Sequence, residues 1–339
     1  MELMVAVAVG LIVSAAVAGL FLQTTASNNQ NDEITYIQDN GRYALKLLAD
    51  DLEMSNFWAG LPASNGAAIP IDDVAVAQDG GSPTISATIN TDVNVLCGDG
   101  GSSVGANWNY DFSQPLEILV NTTASNAETN YPCIDNDDNS LDFVAGTDVL
   151  VIKRTKGFEE SSGQTPGRPY VRGNRSTATL HKFDGDTDPP PTGFFDWQYL
   201  NHIYYIAQDT GCTAPCTPKL VRQALKEDAT PSNDPSYSTE ELAEGIERFH
   251  IMFGIDTNGD AVVDTFTSTP TATQLLNAVI AKVYVLARGA SPVTGYTNDK
   301  TYQLGDLAVA AANDSFYRRV FTTTVIMKNT EAVIEMGAI

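Results

Sequence analysis

Glu2 is the first residue whose type and position raise a chemical question. It heads twenty residues, Leu3 to Leu22, that carry no charge. An ionised carboxylate at membrane depth is costly unless it is paired or held near the interface. A second set lies in DTNGDAVVD at 256–264. Asp256, Asn258, Asp260 and Asp264 occupy positions 1, 3, 5 and 9 of a calcium loop of the DxDxDG type, and the carbonyl of Val262 would add a ligand. Ala261 replaces the usual glycine of such a loop, and Thr267 stands where a bidentate acid belongs. The competing reading is a polar turn between two strands, because Asn258-Gly259 is a hairpin signal in its own right. Calcium is the one cofactor the sequence raises, and none is required.

Four cysteines, Cys97, Cys133, Cys212 and Cys216, suggest two disulfides in an oxidising compartment. The close pair in GCTAPC can shut a tight loop, leaving Cys97 with Cys133; four cysteines allow three pairings, and the others stay open. No CxxC spacing or histidine cluster supports zinc. His181, His202 and His250 are scattered, and no GxSxG, SxxK, HExxH or P-loop is present. No catalytic residue is assigned, and an enzyme is not expected. GDGGSSVG at 98–105, CIDNDDNSLD and FDGDTD read as flexible or solvated loops. Trp58, Trp108, Tyr110, Trp197 and Tyr199 could mark a binding surface, although such residues more often fill cores.

These residues need elements to place them. Twenty helical residues at ~1.5 Å each reach ~30 Å, the thickness of a bilayer core. A cleavable signal has a basic start and a shorter apolar run, so a retained anchor is expected. Apolar positions then continue as Ile37, Gly41, Leu45, Leu48, Leu52 and Phe57, near a 3.6 period, with no proline before Pro62. One long helix over 1–57 is expected, its second half packed on a globular head over 58–339.

The head reads as β-rich. LEILV, TDVLVIKR, TATLHKF, HIYYIAQ, KLVRQAL, IERFHIMFGI, AVIAKVYVLAR and RRVFTTTVIM are the candidate strands. Phe249, Ile251, Phe253 and Ile255 alternate with Arg248, His250 and Met252, as one buried face requires. STEELAEGIE reads as a short helix with Ser238 and Glu241 as a capping box. Residues 58–115 and 155–195 read as long surface loops or insertions. With 42 acidic and 19 basic residues, the net charge of −23 repels phosphates, so no direct nucleic-acid binding is expected.

The order of parts resembles the type IV pilins, and more narrowly the PilW-type minor pilins. ELMVAV at 2–7 and NGRYALKLLADDL at 40–52 match the family's N-terminal signature and helix. ELAEGIERFHIMFGIDTNGDAVVD, AKVYVLARG and YRRVFTTTVIMKN match further stretches in the same order. The resemblance covers the two ends, about 236–339 at the second, and leaves variable insertions at about 58–235. It implies an α+β type IV pilin fold, with a long N-terminal helix, transmembrane in its first half, packed on an antiparallel β-sheet head with long loop insertions.

The same resemblance implies that Glu2 pairs with the N-terminal amine of a neighbouring subunit during filament assembly. It also implies partners: other minor pilins, the major pilin, a tip adhesin and the inner-membrane assembly platform. The head would be periplasmic before assembly and extracellular, at the pilus tip, afterwards. Initiation of assembly, twitching motility, adhesion or DNA uptake are the expected outputs. Met1 precedes Glu2 directly, where family precursors carry a basic leader and an apolar mature start, so the cleavage site and methylated residue are expected upstream. Rival readings are a minor pseudopilin of a type II secretion system and a calcium-dependent adhesive module on a membrane stalk.

Overall fold

A computed structural model of the chain describes residues 2–58, 95–97, 103–104, 114–134, 141–160, 168–174, 178–182, 190–227 and 235–330, with single positions at 162, 164 and 165. Helix α1, Glu2–Glu53, runs through a segment without proline and rich in Ala, Leu and Val. At ~1.5 Å per residue it is about 78 Å long. It stops where Ser55 turns back, its amide and hydroxyl both donating to the carbonyl of Leu52 at 3.1 and 2.8 Å. Asn56 then takes a left-handed φ of 61°, a conformation that Asn tolerates better than most side chains.

The first of two main sheets holds β1 (Val95–Cys97), β2 (Ser103–Val104), β3 (Leu116–Thr122), β4 (Leu141–Phe143), β5 (Thr147–Thr155), β6 (Pro169–Gly173), β7 (Ala178–Lys182), β8 (Phe195–Asp209), β9 (Lys219–Glu227) and β10 (Pro235–Glu244), with the short helix α2 (Ala124–Asn130) after β3. Its order is β2-β1-β10-β9-β8-β5-β3; β4 and β6 also pair with β8, and β7 with β6. Pairing is antiparallel except between β1 and β10. Strand β8 is long enough to serve as the common spine. Both faces of this sheet are buried. Leu150, Ile152, Tyr204, Ile206 and Leu220 face one cluster, and Val149, Val151, Ile203, Tyr205 and Val221 face the other. The strands at the centre therefore read as continuous apolar runs.

The second sheet follows in chain order. It is built from β11 (Ile246–Ile255), β12 (Thr265–Thr267), β13 (Ala278–Arg288) and β16 (Arg318–Ile326), in the order β12-β11-β13-β16. Helix α3 (Ala272–Leu276), capped by Thr271 and Gln274, precedes β13, and a hairpin of β14 (Tyr302–Leu304) and β15 (Leu307–Val309) precedes β16. Phe249, Ile251 and Phe253 of β11 and Val283 and Val285 of β13 join Ile37, Ala44, Leu48 and Leu52 of α1 in one core. Each fully buried Ile or Leu on α1 contributes roughly 1.5–3 kcal/mol. The α+β fold, a long helix on antiparallel β-structure, is the expected one.

Two expectations are corrected. STEELAEGIE is not a helix: it is the end of β10 and the start of β11, divided by Gly245. Glu240 pairs across the strands with Arg222 and Lys226, and Glu241 with Lys219, so cross-strand pairing overrides helix propensity. Gly245 holds φ at 71°, and a Cβ there would stand 2.5 Å from the carbonyl oxygen of Arg288. The segment 155–195 is not only loop, because β6 and β7 form a hairpin seated on β8. The 58–115 reading falls mostly outside the described residues.

Candidate functional site

Helix α1 has two chemically different halves. From Leu3 to Phe21 its described apolar side chains stand out from the head, with Leu3 78%, Ile12 69% and Phe21 71% exposed. An apolar surface of this extent is stable only when lipid or other apolar helices cover it. The described residues hold one helix long and apolar enough to cross a membrane, with a mean hydropathy of 2.6 in its most apolar stretch. Glu2 sits in the first turn of α1, and its side chain lies outside the described ones. A carboxylate at that end complements the positive pole of the helix dipole.

The second half is seated. Ile37, Gly41, Ala44, Leu48 and Leu52 are buried at helical spacing. A Cβ on Gly41 would stand 2.5 Å from Cδ2 of Phe321, so only glycine lets α1 lie this close to β16. Polar ties hold each end of the seat. The carboxylate of Glu33 accepts from the amide of Ser291 at 3.2 Å, and the Tyr36 hydroxyl donates to Glu244 at 3.2 Å. Beyond the helix, Phe57 O accepts from both the amide and the hydroxyl of Thr155, at 2.8 and 3.0 Å. Trp58 stacks on Tyr199 at 6.2 Å between ring centroids.

Between those ends lies a buried polar node. Asp51, 4% exposed, accepts from Nδ1 of His202 at 2.6 Å, the hydroxyl of Tyr204 at 2.8 Å and Nε of Arg154 at 2.6 Å. Burial pushes the carboxyl pKa upward, but His202, Arg154 and the Tyr204 hydroxyl outweigh it and hold the group well below the usual carboxylate range. Asp51 is not among the residues singled out from the sequence. Its position three after Leu48 and one before Leu52, in the buried phase of the helix, was the available signal.

A second buried node was also missed. His250 gives Nδ1–H to Asp148 at 2.7 Å and Nε2–H to Asp306 at 2.8 Å. Ser268 donates to the other oxygen of Asp306 at 2.7 Å. Burial lowers the imidazole pKa, and the two carboxylates overcome it and raise the pKa above its ordinary value. Both ring nitrogens are taken up by carboxylates and Ser268 donates to Asp306 rather than to the ring, so the set does not form a nucleophile-and-base pair. It is a clamp between β5, β11 and the β14–β15 turn.

The 256–264 loop closes the β11–β12 hairpin, with Ile255 opposite Thr265. Asp256 Oδ1 accepts from the amides of Asn258 and Gly259 at 2.9 and 2.7 Å, and Oδ2 from that of Ala261 at 2.7 Å. Asp264 accepts from Thr257, Asn258 from Asp260, and Asp260 from the amide of Val262. Among the described residues no group of three His, Cys, Asp or Glu is set to hold a metal ion.

Cys212 and Cys216 are joined in a disulfide, and Cys133 is disulfide-bonded. The side chain of Cys97 lies outside the described ones, as do Trp108, Tyr110 and the His181 side chain. Residues 98–102, 105, 135–140 and 183–188 of the three predicted polar loops are likewise outside them.

With this geometry in place, the family model for Type IV Pilus-assembly protein W (PilW) matches residues 203–329. The match spans the second half of β8, β9 to β16, and the whole seat of α1 on the second sheet. No curated protein and no solved structure matches the chain.

Proposed function

We propose, on the premise that this chain is a PilW-family type IV pilus-assembly protein, that it acts as a minor pilin. Its apolar half-helix first lies in the inner membrane and then passes into the core of a growing filament. Its head is periplasmic beforehand and sits at or near the pilus tip afterwards. Glu2 neutralises the N-terminal amine of a neighbouring subunit, because pairing two desolvated charges offsets their burial and fixes the axial register of the helices. Partners are other minor pilins, the major pilin, a tip adhesin and the inner-membrane platform. Initiation of assembly is the primary role, with twitching motility, adhesion or DNA uptake downstream. The acidity of the chain assigns any contact with DNA to another subunit. The reading requires no cofactor and no catalysis, and it pairs Cys97 with Cys133.

One observation carries this reading: a single 52-residue helix leaves its described apolar first half exposed and buries one face of its second half in the head. A membrane anchor alone needs only the first feature. A rigid seat that projects a bare apolar rod suits a subunit whose helix must dock among other helices. Deletion of the gene, scored for surface pili and for co-purification of the remaining minor pilins, tests it. Loss of pili with a disrupted minor-pilin complex is the expected result. Normal piliation with an intact complex would reject the proposal.

A further inference from the structure

A cleft of about 290 Å³ opens where the Cys212–Cys216 loop meets the ends of β11, β13 and β16 and the segment after β15. Three guanidinium groups line it, from Arg248, Arg288 and Arg318. This runs against the balance of a chain with 42 acidic and 19 basic residues. The three are unequally engaged. Arg318 is saturated by two forked pairs, to Glu247 at 2.7 and 2.8 Å and to Asp314 at 2.6 and 2.7 Å. Arg248 donates to the carbonyl of Gly146.

Arg288 is the exception. Its Nη2 donates to the carbonyl of Cys216 at 2.7 Å, and the guanidinium lies 4.3 Å from the centre of the Phe316 ring. Its closest carboxylate, Glu247, is 3.8 Å away and has both oxygens committed to Arg318. Its Nε has no acceptor among the described residues, although the residue is only 6% exposed. Buried donors are almost always paired, and a forked guanidinium matches a planar oxyanion.

We propose that this cleft binds a carboxylate carried on a small apolar body, with Arg288 and Arg248 as the donors. The lining supplies three cations against Glu247, and Asp314 sits behind Arg318, which leaves about one positive charge for a monoanion. The remaining wall includes Val144, Val309, Ala310 and Ala312. Of its polar members, Thr147 and Tyr302 spend their hydroxyls on the carbonyl of Val144 and on Asn298, so beside the apolar contacts Gln208 is the further donor for an anion's oxygens. Burial lowers the Arg288 pKa, the direction expected of a cation short of anionic partners. The site stands apart from the assembly role of α1. Its ligand is either a free acid or main-chain terminus, or an acidic side chain of a peptide.

Calorimetric titration of the full-length chain in detergent micelles distinguishes these sources. The probes are N-acetylvaline, N-acetylvalinamide and the capped tripeptide N-acetyl-Ala-Glu-Ala-amide. At least one acid should bind with a Kd in the millimolar range or tighter, and the neutral amide should not. Binding of N-acetylvaline alone assigns a terminal or free carboxylate, whereas binding of the tripeptide assigns a side-chain carboxylate. Arg288→Lys keeps the charge but removes the fork, and should weaken binding about tenfold. Arg248→Gln should weaken it several-fold and decides the matter if Arg288→Lys does not fold. Absence of binding by both acids, equal binding of the amide, or wild-type affinity in the folded variants would overturn the proposal.

Discussion

Asp51 shows how much one carboxylate can decide. Among the described side chains it is the one acid of α1 that meets three side chains of the first sheet, His202, Tyr204 and Arg154, and it does so out of water. Removing one member of such a set leaves the others buried and uncompensated, which costs on the order of 3–5 kcal/mol. Asp51→Ala should therefore lower unfolding free energy by that amount, read from denaturant melts of the full chain in detergent. A loss under about 1 kcal/mol, the range of an exposed pair, would contradict the assignment. The sign of the pH dependence follows from the depressed pKa. The contribution is present above the ordinary Asp value of about 3.9 and disappears as pH falls through the lower folded value. Asp51→Asn should flatten the acid limb of the stability curve.

At the scale of elements, the His250 clamp ties three of them. Asp148 is on β5, His250 on β11, and Asp306 in the β14–β15 turn. The His250 pKa is raised, so its contribution is complete below about 6.5 and is lost as pH rises through the folded value. Asp306 is held low, burial being overcome by His250 and Ser268, and its contribution is lost as pH falls. The clamp is complete between these limits. The melting temperature should fall as pH rises from about 6.5 through the raised His250 value, and His250→Gln should remove that decline. An unchanged alkaline limb in the variant would refute the role. The sequence announced the element but not the clamp. Apolar runs such as IERFHIMFGI and AVIAKVYVLAR coincide with β11 and β13, because alternation and β-branching report burial directly. His250 falls on the alternate phase of β11, which local periodicity assigns to solvent; its burial comes from Asp148, 102 residues away. STEELAEGIE failed for the same reason, since its partners Arg222 and Lys226 lie on a neighbouring strand. The three cleft arginines carry no local signature at all, as β11, β13 and β16 converge only in the fold.

At the scale of the whole molecule, the described residues form a two-sheet head carrying a bare apolar half-helix. A charge of −23 makes like chains repel, so in the proposed function association falls to the helices rather than to the head surfaces at large. Apolar contact among helices sets little register by itself, because lipid tails solvate Leu and Val as well as another helix does. In the proposed function, the pairing of Glu2 with a neighbouring subunit's N-terminal amine is what would supply the register. Glu2 is the one charged residue before Asp32, and the head is seated from Glu33 onward, some 30 residues away. Glu2→Ala should therefore leave membrane insertion and head folding intact while reducing incorporation into pili about tenfold, the effect of roughly 1.4 kcal/mol. Glu2→Gln keeps size and hydrogen bonding but not charge, and should match Glu2→Ala if the charge pair governs assembly. Quantitative blots of sheared pili against the membrane fraction give the ratio. Equal ratios for wild type and both variants would remove Glu2 from the mechanism and leave the apolar half-helix to explain assembly alone.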